Sequence, residues 1–583
     1  MRILCLLMLV GLACCVGRVS GGEIGEAVDD FALHDFRGKT HALADLSDSK
    51  LVAVAFIGIE CPLAKLYAPR LQQLHEEFRD QGVAFLAIDS NRQDTLVELA
   101  GYARRHGVQF PLLKDPRNGV ADKFGAIRTP EVFVLDGERK IRYRGRIDDQ
   151  YGVGLSSGYV RPKIGRRDLA VAIEELLAGK EVSQPLQEAT GCFIGRVPSI
   201  EPHGDVTYSR QIARILQDRC VSCHRPGEVA PFPLQDYEEV AGWGETIREV
   251  VEQRRMPPWS ADPRYGDFHN ASRLSDEELA LISQWVENGC PQGDPAELPT
   301  PRQFVEGWQI EKPDQVIYMA DEAFDVPAEG TVEYQYFTVD PGWTEDKWIQ
   351  ATESRPGNRS VVHHIIVYVQ PPGSRSASVF QLDSVGGYAP GEGADEYPEG
   401  IAAFVEAGSK LIFELHYTPN GSPQQDRSYI GLNFADPDTV RKQLIGDAAF
   451  NISFSIPPGA ASHKVTARKR LRQDALLLSL VPHMHVRGKS FRFEATYPDG
   501  RKEVLLDVPR YDFNWQFSYR FRDPKLIPAG TVLNCTARFD NSEENPANPD
   551  PSKSVTWGDQ SWEEMMIGFF NWASADEDLL SDK

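Results

Sequence analysis

The pentapeptide CVSCH at residues 220–224 constrains this chain more than any other stretch of the sequence. Cys-x-x-Cys-His is the attachment pattern of c-type haem, in which two thiols bind the porphyrin covalently and the histidine lies under the iron. A zinc half-site is the alternative for two cysteines at this spacing, but it needs further ligands nearby, and the next cysteine is Cys290. The pattern therefore predicts a covalent haem c on Cys220, Cys223 and His224, and with it the transfer of single electrons.

The sixth iron ligand is predicted to be Met256, in the sequence RRMPPW at residues 254–259. The two prolines stop a preceding helix, expected over Glu239–Gln253, and hold the methionine in an extended loop. A thioether ligand raises the potential of a haem and suits electron transfer. The alternative is that Met256 fills a hydrophobic core, as most methionines do.

A further helix is predicted after this loop. Ser275 and Glu278 form a capping box, apolar residues from Leu279 to Val286 recur at helical spacing, and Gly289 ends the helix. With the haem motif and the methionine loop, residues 205–300 resemble a class I cytochrome c. The resemblance implies a compact all-α domain.

The N-terminus indicates export. Arg2 precedes the apolar run Ile3–Val16, and small residues follow, which predicts a signal peptide over residues 1–21. Cys14 offers a lipoprotein alternative, although the residues before it fit a lipobox poorly. No later segment is long and apolar enough to span a membrane. The mature chain is therefore expected in a periplasm, secreted, or at a cell surface.

Length and charge limit the remaining possibilities. A chain of 583 residues is too long for one core and predicts several domains. A formal net charge of −23 argues against nucleic acid and anionic membranes as partners. Outside the signal peptide and the haem motif, the cysteines are too few and too scattered for a disulfide framework; they are Cys61, Cys192, Cys290 and Cys535.

The first mature domain, residues 22–182, is predicted to be α/β. Leu51–Gly58 and Val83–Ile88 have the composition of buried strands, with a helix of apolar period between them. Glu131–Val134 begins a hairpin that turns at Asp136-Gly137.

The residues between the first strand and helix, Cys61-Pro62-Leu63-Ala64, together with Pro130, resemble the thioredoxin-like redoxin family. The resemblance implies a reactive thiol at a helix N-terminus, facing a cis-proline at Pro130. Ala64 stands where the family has its second cysteine, so disulfide exchange within the motif is impossible. Cys61 then works alone, or with a distant thiol such as Cys192, or the domain is a docking module without redox activity.

Residues 183–204 are predicted to be a linker, and from residue 301 the sequence reads as all-β. The chain there is long enough for two sandwiches, residues 301–437 and 438–583. Five of the 13 histidines of the chain fall in three short motifs of this region. The five are His363, His364, His416, His483 and His485. Imidazoles bind copper, zinc and iron alike, and an added thioether favours Cu(I).

The order of these motifs, His-His, Leu-His-Tyr, His-x-His and then an acidic-acidic-Met motif ending at Met565, resembles the copper type II, ascorbate-dependent monooxygenases. The resemblance implies two jelly-roll-like sandwiches and two copper ions. His363, His364 and His416 would hold the electron-transfer copper. His483, His485 and Met565 would form the catalytic site at which O2 is activated and the substrate hydroxylated.

The sequence departs from that family beside the methionine. Met566 replaces a cysteine, which leaves the matching Cys535 unpaired, and Ile567 and Phe569 replace residues that bind a substrate carboxylate. A peptidylglycine substrate is therefore disfavoured, and a less anionic or more apolar one fits better.

The sequence as a whole predicts an exported haem- and copper-dependent oxidoreductase. Its haem would relay electrons from an external donor, either ascorbate-like or a redox protein. The alternative is a protein that handles copper or thiols and has no hydroxylase activity.

Overall fold

The computed structural model describes residues 21–154, 158–161, 163–305, 307–374 and 382–581. All but the last residue of the predicted signal peptide therefore lies outside the described residues. Within the described ranges, no helix has both the length and the apolar character that crossing a membrane requires.

The N-terminal part alternates strands and helices. Its elements are β1 (Ala32–Asp35), β2 (Thr40–Ala42), β3 (Leu51–Ile57), α1 (Pro62–Phe78), β4 (Val83–Asp89), α2 (Leu96–Arg105), β5 (Leu112–Lys114), α3 (Gly119–Phe124), β6 (Arg128–Thr129), β7 (Glu131–Leu135), β8 (Ile141–Gly145), β9 (Tyr151–Val153), β10 (Gly158–Val160) and α4 (Asp168–Leu177). The predicted strands, the helix between them and the hairpin are all present.

Seven of these strands form one sheet in the order β2-β1-β5-β4-β3-β7-β8. β3, β4 and β5 are parallel, whereas β7 runs antiparallel to β3. Successive side chains of β3 pack on opposite faces of the sheet. Ala53 and Ala55 pack on the face covered by α1, whereas Val52 and Val54 pack on the face covered by α3. Burial on both faces explains why β3 is apolar throughout instead of alternating.

The segment predicted as a linker is partly strand. β11 (Cys192–Phe193) pairs antiparallel with β6, and Cys192 lies opposite Thr129. The prediction missed it because a two-residue strand has no periodicity that a sequence could display. The N-terminal domain therefore extends beyond residue 182.

The segment 205–300 is helical, with α5 (Ala213–Arg219), α6 (Tyr237–Gly242), α7 (Gly244–Glu252) and α8 (Asp276–Glu287). The prediction of a single helix over Glu239–Gln253 was wrong. The helix is interrupted at Trp243, which lies between two glycines, and this gives the separate helices α6 and α7. Trp243 stacks on Phe232 with ring centroids 4.0 Å apart. The predicted capping box of α8 is present.

The remainder is all-β. Its strands are β12 (Gln315–Tyr318), β13 (Phe324–Val326), β14 (Gln335–Val339), β15 (Lys347–Arg355), β16 (Val362–Gln370), β17 (Asp383–Tyr388), β18 (Asp395–Glu396), β19 (Ile401–Val405), β20 (Lys410–Tyr417), β21 (Gln424–Asp426), β22 (Tyr429–Phe434), β23 (Lys442–Gln443), β24 (Ile445–Phe450), β25 (Ser455–Ile456), β26 (His463–Arg470), β27 (Ala475–His483), β28 (Gly488–Thr496), β29 (Lys502–Val508), β30 (Tyr519–Ile527), β31 (Val532–Phe539), β32 (Val555–Thr556) and β33 (Ile567–Ser574).

These strands build two units, each of two sheets around a shared core. In the first, the sheet containing β12, β22, β15 and β19 packs on the sheet β14-β20-β16-β17. In the second, the sheet β24-β33-β27-β30 packs on the sheet β26-β31-β28-β29. We refer to them as the first and second sandwich. β23 still pairs with β19, so the chain leaves the first sandwich after residue 443 and not at the predicted 437.

Candidate functional site

Three histidines meet at one end of the first sandwich. His363 and His364 lie on β16, and His416 lies on the neighbouring β20, opposite His364. Adjacent residues of a regular strand point to opposite faces, but the register shifts between Val362 and His364, which lets both histidines of β16 turn toward His416. One ligand atom from each of the three lies within 4.8 Å of the others.

Burial keeps these imidazoles neutral. It lowers the pKa of His363 to about 4, and burial together with the neighbouring histidines holds the pKa of His364 and His416 well below the usual value. A neutral imidazole is the form that binds a metal. Nδ1 of His363 lies 3.1 Å from Nδ1 of His364, and the buried Nδ1 of His416 has no hydrogen-bond partner among the described residues. A metal ion would satisfy all three nitrogens, and three imidazoles fit copper as they fit zinc or iron.

A second pair of histidines ends a strand of the second sandwich. His483 is the last residue of β27, and the rings of His483 and His485 lie 5.3 Å apart. Nδ1 of His483 lies 2.6 Å from Oε1 of Gln516, and Nδ1 of His485 lies 3.3 Å from the carbonyl oxygen of Glu563. Such bonds fix a ring and leave Nε2 for a metal. The buried Nε2 of His485 has no hydrogen-bond partner in the described part of the chain.

Glu564 joins this pair to Met565. Its buried carboxylate accepts the N–H of His485 at 2.9 Å, the N–H of Arg487 at 2.6 Å and the N–H of Met565. Burial raises the pKa of Glu564 to about 8. Glu564 belongs to the acidic-acidic-Met motif, in which only the methionine is predicted to bind copper. Met565 is itself buried.

The two histidine sets face each other across Phe513. Its ring stacks on His363 at a centroid distance of 5.2 Å and lies 5.9 Å from both His416 and His485. No sequence signal marked this residue, because an aromatic residue in a loop usually serves packing.

A cavity of about 350 Å³ opens beside the histidines. Three parts of the chain line it: the β9–β10 hairpin, the first sandwich and the second sandwich. Representative lining residues are Tyr151, Tyr159, His363, His416, Phe513 and Trp562. This volume lies in the range of ordinary small-molecule sites.

The haem motif forms a tight turn after α5. The N–H of His224 donates to the carbonyl of Cys220 at 2.9 Å, and Nδ1 of His224 lies 3.0 Å from the carbonyl oxygen of Phe232. The ring is thereby oriented with Nε2 free, and the thiols of Cys220 and Cys223 are free cysteines. These residues fit covalent haem. Met256 lies half-buried on the loop after α7, where its N–H donates to the carbonyl of Val250 at 3.2 Å.

The thiol of Cys61 lies at the N-terminus of α1, fully buried. Its Sγ–H donates to the carbonyl of Thr129 at 2.9 Å, and the peptide bond between Thr129 and Pro130 is cis, as predicted. Burial alone would raise the pKa of Cys61. Hydrogen bonds from the side chain and backbone of Cys192 and from the backbone of Ala64 outweigh that effect and lower it to about 6.

Comparison with known proteins identifies the N-terminal domain. Residues 24–144 match the model of the AhpC/TSA family. The thiol-disulfide oxidoreductase ResA of Halalkalibacterium halodurans is 28% identical over 117 residues, which are 20% of this chain and 65% of that protein. ResA of Bacillus subtilis (strain 168) is 29% identical over 125 residues, or 21% of this chain and 68% of the relative. The chain thus spans about two thirds of these relatives' length.

Among solved structures, a hypothetical protein, SMc02350 from Sinorhizobium meliloti 1021, is 33% identical. The match covers 30% of this chain and 94% of that one, with a TM-score of 0.27. The family match, the sheet order and the position of Cys61 agree. Residues 24–144 therefore form a thioredoxin-like redoxin domain of the AhpC/TSA type, with oxidoreductases of the ResA type among its relatives.

Proposed function

We propose that this chain is an exported haem- and copper-dependent oxidoreductase, an O2-dependent monooxygenase that hydroxylates a small and largely apolar substrate. The observation that carries the proposal is the convergence of three neutral histidine nitrogens within 4.8 Å, facing a second histidine pair across one phenylalanine ring. All five imidazoles have lowered pKa values, and His416 and His485 each have a buried nitrogen with no hydrogen-bond partner in the described part of the chain, which exceeds what packing alone needs.

The residues divide the work between two sites. His363, His364 and His416 would hold the electron-transfer copper, while His483, His485 and Met565 would hold the copper that meets O2. Bound copper would supply one-electron steps and the activation of O2. Gln516 and Glu564 keep the second set oriented, since one fixes His483 and the other fixes both the His485 and the Met565 backbone.

The helical segment would serve as the electron entry. A covalent haem on Cys220 and Cys223 supplies a one-electron carrier, with His224 and Met256 as its axial ligands. The segment also touches the second sandwich directly, because the guanidinium of Arg510 donates to the carbonyl of Gln253 at 2.9 Å. The helical segment, which would carry the haem, and the second sandwich are thus in contact within one chain.

The substrate would occupy the cavity that His363, His416 and Phe513 line, and Phe513 also contacts His485 of the second set. Aromatic walls from Tyr159, Phe513 and Trp562 favour an apolar molecule. Phe569 stands where the monooxygenases that these motifs resemble bind a carboxylate, and its ring is 6.1 Å from His483. An apolar ring at this place agrees with a substrate that carries no carboxylate.

A second function is favoured by the thiol site. The lowered pKa of Cys61 and the similarity to ResA support thiol–disulfide chemistry in the N-terminal domain, with copper bound but not used for hydroxylation. This function needs the redoxin domain and the histidines, but no reaction with O2.

Isotope incorporation separates the two functions. The copper-loaded holoprotein, reduced with ascorbate, is given 4-ethylphenol, which has a weak benzylic C–H bond, under dioxygen labelled with heavy oxygen. We expect an alcohol with one labelled atom, the other atom leaving as water after two electrons and two protons are taken up. His485→Ala should abolish the product, and His463→Ala, outside both sets, should not. Copper retention without labelled alcohol would favour the thiol function.

A further inference from the structure

Cys192 occupies a position that joins two parts of the molecule. Strand β11 pairs with β6 of the redoxin domain, which places Cys192 opposite Thr129, the residue whose carbonyl accepts the Cys61 thiol. Cys192 also hydrogen-bonds the Cys61 sulfur through its own side chain. Two thiols from distant parts of the sequence therefore touch at the end of α1.

The same short strand is attached to the helical segment. The N–H of Phe193 donates to the hydroxyl of Thr246 on α7 at 2.9 Å, and Arg128 of β6 forms an ion pair with Glu249 at 2.6 Å. Cys192 packs against both the redoxin core and the core of the helical segment. Contacts with both the redoxin domain and the helical segment therefore hold Cys192 in position, unlike a residue of a flexible linker.

We propose that Cys61 and Cys192 form a reversible intramolecular disulfide, which restores across the sheet the dithiol that Ala64 removes from the motif at residues 61–64. The inference does not depend on haem or copper. It assigns the redoxin domain a substrate class, low-molecular-weight disulfides. It also gives the start of the helical segment a covalent attachment that exists only in the oxidised form.

Exposure sets the order of the exchange. Cys61 is fully buried and Cys192 is half-buried, so an external disulfide reaches Cys192 first. Cys192 loses its proton and forms a mixed disulfide, releasing one thiol. The Cys61 sulfur then attacks Cys192 Sγ, forms the Cys61–Cys192 bond and releases the second thiol. Two protein thiols are oxidised and one external disulfide is reduced to two thiols, which carry the two protons.

The acidity of Cys61 suits the second step. Because its pKa lies near 6, the thiolate is the main form at neutral pH, whereas contact with Cys61 and burial raise the pKa of Cys192. Cys61 is therefore the attacking sulfur in the second step, which closes the intramolecular disulfide. The other two cysteines outside the haem motif do not share this environment: burial raises the pKa of Cys290 and Cys535, and neither is hydrogen-bonded to another thiol in the described part of the chain.

Peptide mapping tests the proposal on the full-length holoprotein. The protein is equilibrated with oxidised glutathione, quenched in acid, alkylated and digested without reduction. We expect one cross-linked peptide pair containing residues 61 and 192, reversed by reduced glutathione. In Cys61→Ser the reaction should stop at glutathione bound to Cys192. In Cys192→Ser, Cys61 should stay a free thiol, and Cys535→Ala should behave as the wild type.

Wild-type protein alone can overturn the inference, so the test does not depend on how a variant folds. Glutathione retained on Cys192 beside a free Cys61 would show that the two sulfurs do not react with each other. A cross-link to Cys290 would assign the partner elsewhere. Either result would leave the copper and haem sites untouched, so failure here is distinct from failure of the proposed oxygenase.

Discussion

The orientation of each histidine ring determines which of its two nitrogens is available to a metal ion. His224, His483 and His485 all direct Nδ1 at an oxygen of the protein, namely the carbonyl of Phe232, the amide of Gln516 and the carbonyl of Glu563. Each arrangement leaves Nε2 for a metal, whereas in the first sandwich the Nδ1 atoms of His363 and His364 lie 3.1 Å apart. A sequence shows that a histidine is present but not which of its nitrogens is free.

Met256 is the residue whose role a single substitution can settle. Met256→Ala should remove the sulfur-to-iron charge-transfer band of the oxidised haem and lower its reduction potential, because a thioether stabilises ferrous iron. The measurement is the absorption spectrum of the oxidised protein together with a potentiometric titration. Met319→Ala, a buried methionine of the first sandwich, is the matched control. An unaltered spectrum would place another ligand on the iron.

At the scale of elements, strand ends and irregularities build the candidate site. The shift of register in β16 brings His363 and His364 to the same side of the strand. Strand β27 ends at His483, so His485 lies outside the strand and contacts the segment that carries Met565. Glu564 ties these last two together by accepting three backbone N–H groups. We therefore regard Glu564 as a positioning residue for the second copper.

Replacement of Glu564 should weaken one copper site only. Glu564→Ala leaves three buried N–H groups without their acceptor, and loss of such a supporting group typically costs about 10- to 100-fold in metal affinity. Copper affinity of the second site, measured by competition with a chelator, should fall, while the three-histidine site keeps its copper. Glu564→Gln, which can still accept through its amide oxygen, should recover part of the affinity. Glu494→Ala, on the opposite sheet of the same sandwich, should change neither site.

The sequence predicted much of this architecture and missed the parts set by long-range contacts. The buried strands of the redoxin domain, the helix after Cys61 and the capping box of α8 follow from local patterns and are present. The sequence offered Cys192 as one alternative partner of Cys61, but not strand β11, which places it there and depends on pairing with β6 far along the chain. The helix break at Trp243 was missed because the apolar period continues through it.

Within the candidate site, the sequence motifs predicted the histidines but not the residues that contact and orient them. Phe513, Gln516 and the role of Glu564 depend on how loops fold over the sandwiches. Cys535 shows the reverse case: it lies in the same apolar core as Met566, so the residue that replaces its partner packs in that core as well. A pair of packed apolar side chains needs no disulfide to hold that core.

At the scale of the whole molecule, the redoxin domain forms a wall of the cavity. The guanidinium of Arg161 donates to the carbonyl of Pro546 at 3.2 Å, and the amide of Asn514 donates to the carbonyl of Gly158 at 3.1 Å. Tyr159, on the same hairpin, lines the cavity beside the histidines. The domain therefore restricts access to the candidate site whether or not its thiol reacts.

Removing the contacts of Arg161 should make the β9–β10 hairpin more mobile without unfolding the redoxin domain. Arg161→Ala deletes both the hydrogen bond to the carbonyl of Pro546 and the ion pair with Asp149 at 2.6 Å. The first alone is worth about 1.5 kcal/mol before solvent screening, so the opening of the β9–β10 hairpin should increase by about tenfold. Hydrogen exchange of the backbone in β10 should quicken, while β3 and β4 in the redoxin sheet stay protected. Arg37→Ala, at an exposed turn of the same domain, should alter neither region. Equal exchange in Arg161→Ala and the wild type would show that the hairpin does not depend on these contacts.

The central claim, two separate copper sites in one chain, is tested most directly by counting copper. Copper per chain is measured by mass spectrometry for the wild type, His364→Ala and His485→Ala, with His463→Ala as control. Because the two sets lie in different sandwiches on either side of Phe513, each loss should be independent. We predict two copper ions in the wild type and the control, and one in each variant, with the electron paramagnetic resonance signal of the other site retained. If one substitution empties both sites, or if neither removes copper, the two-site account is contradicted.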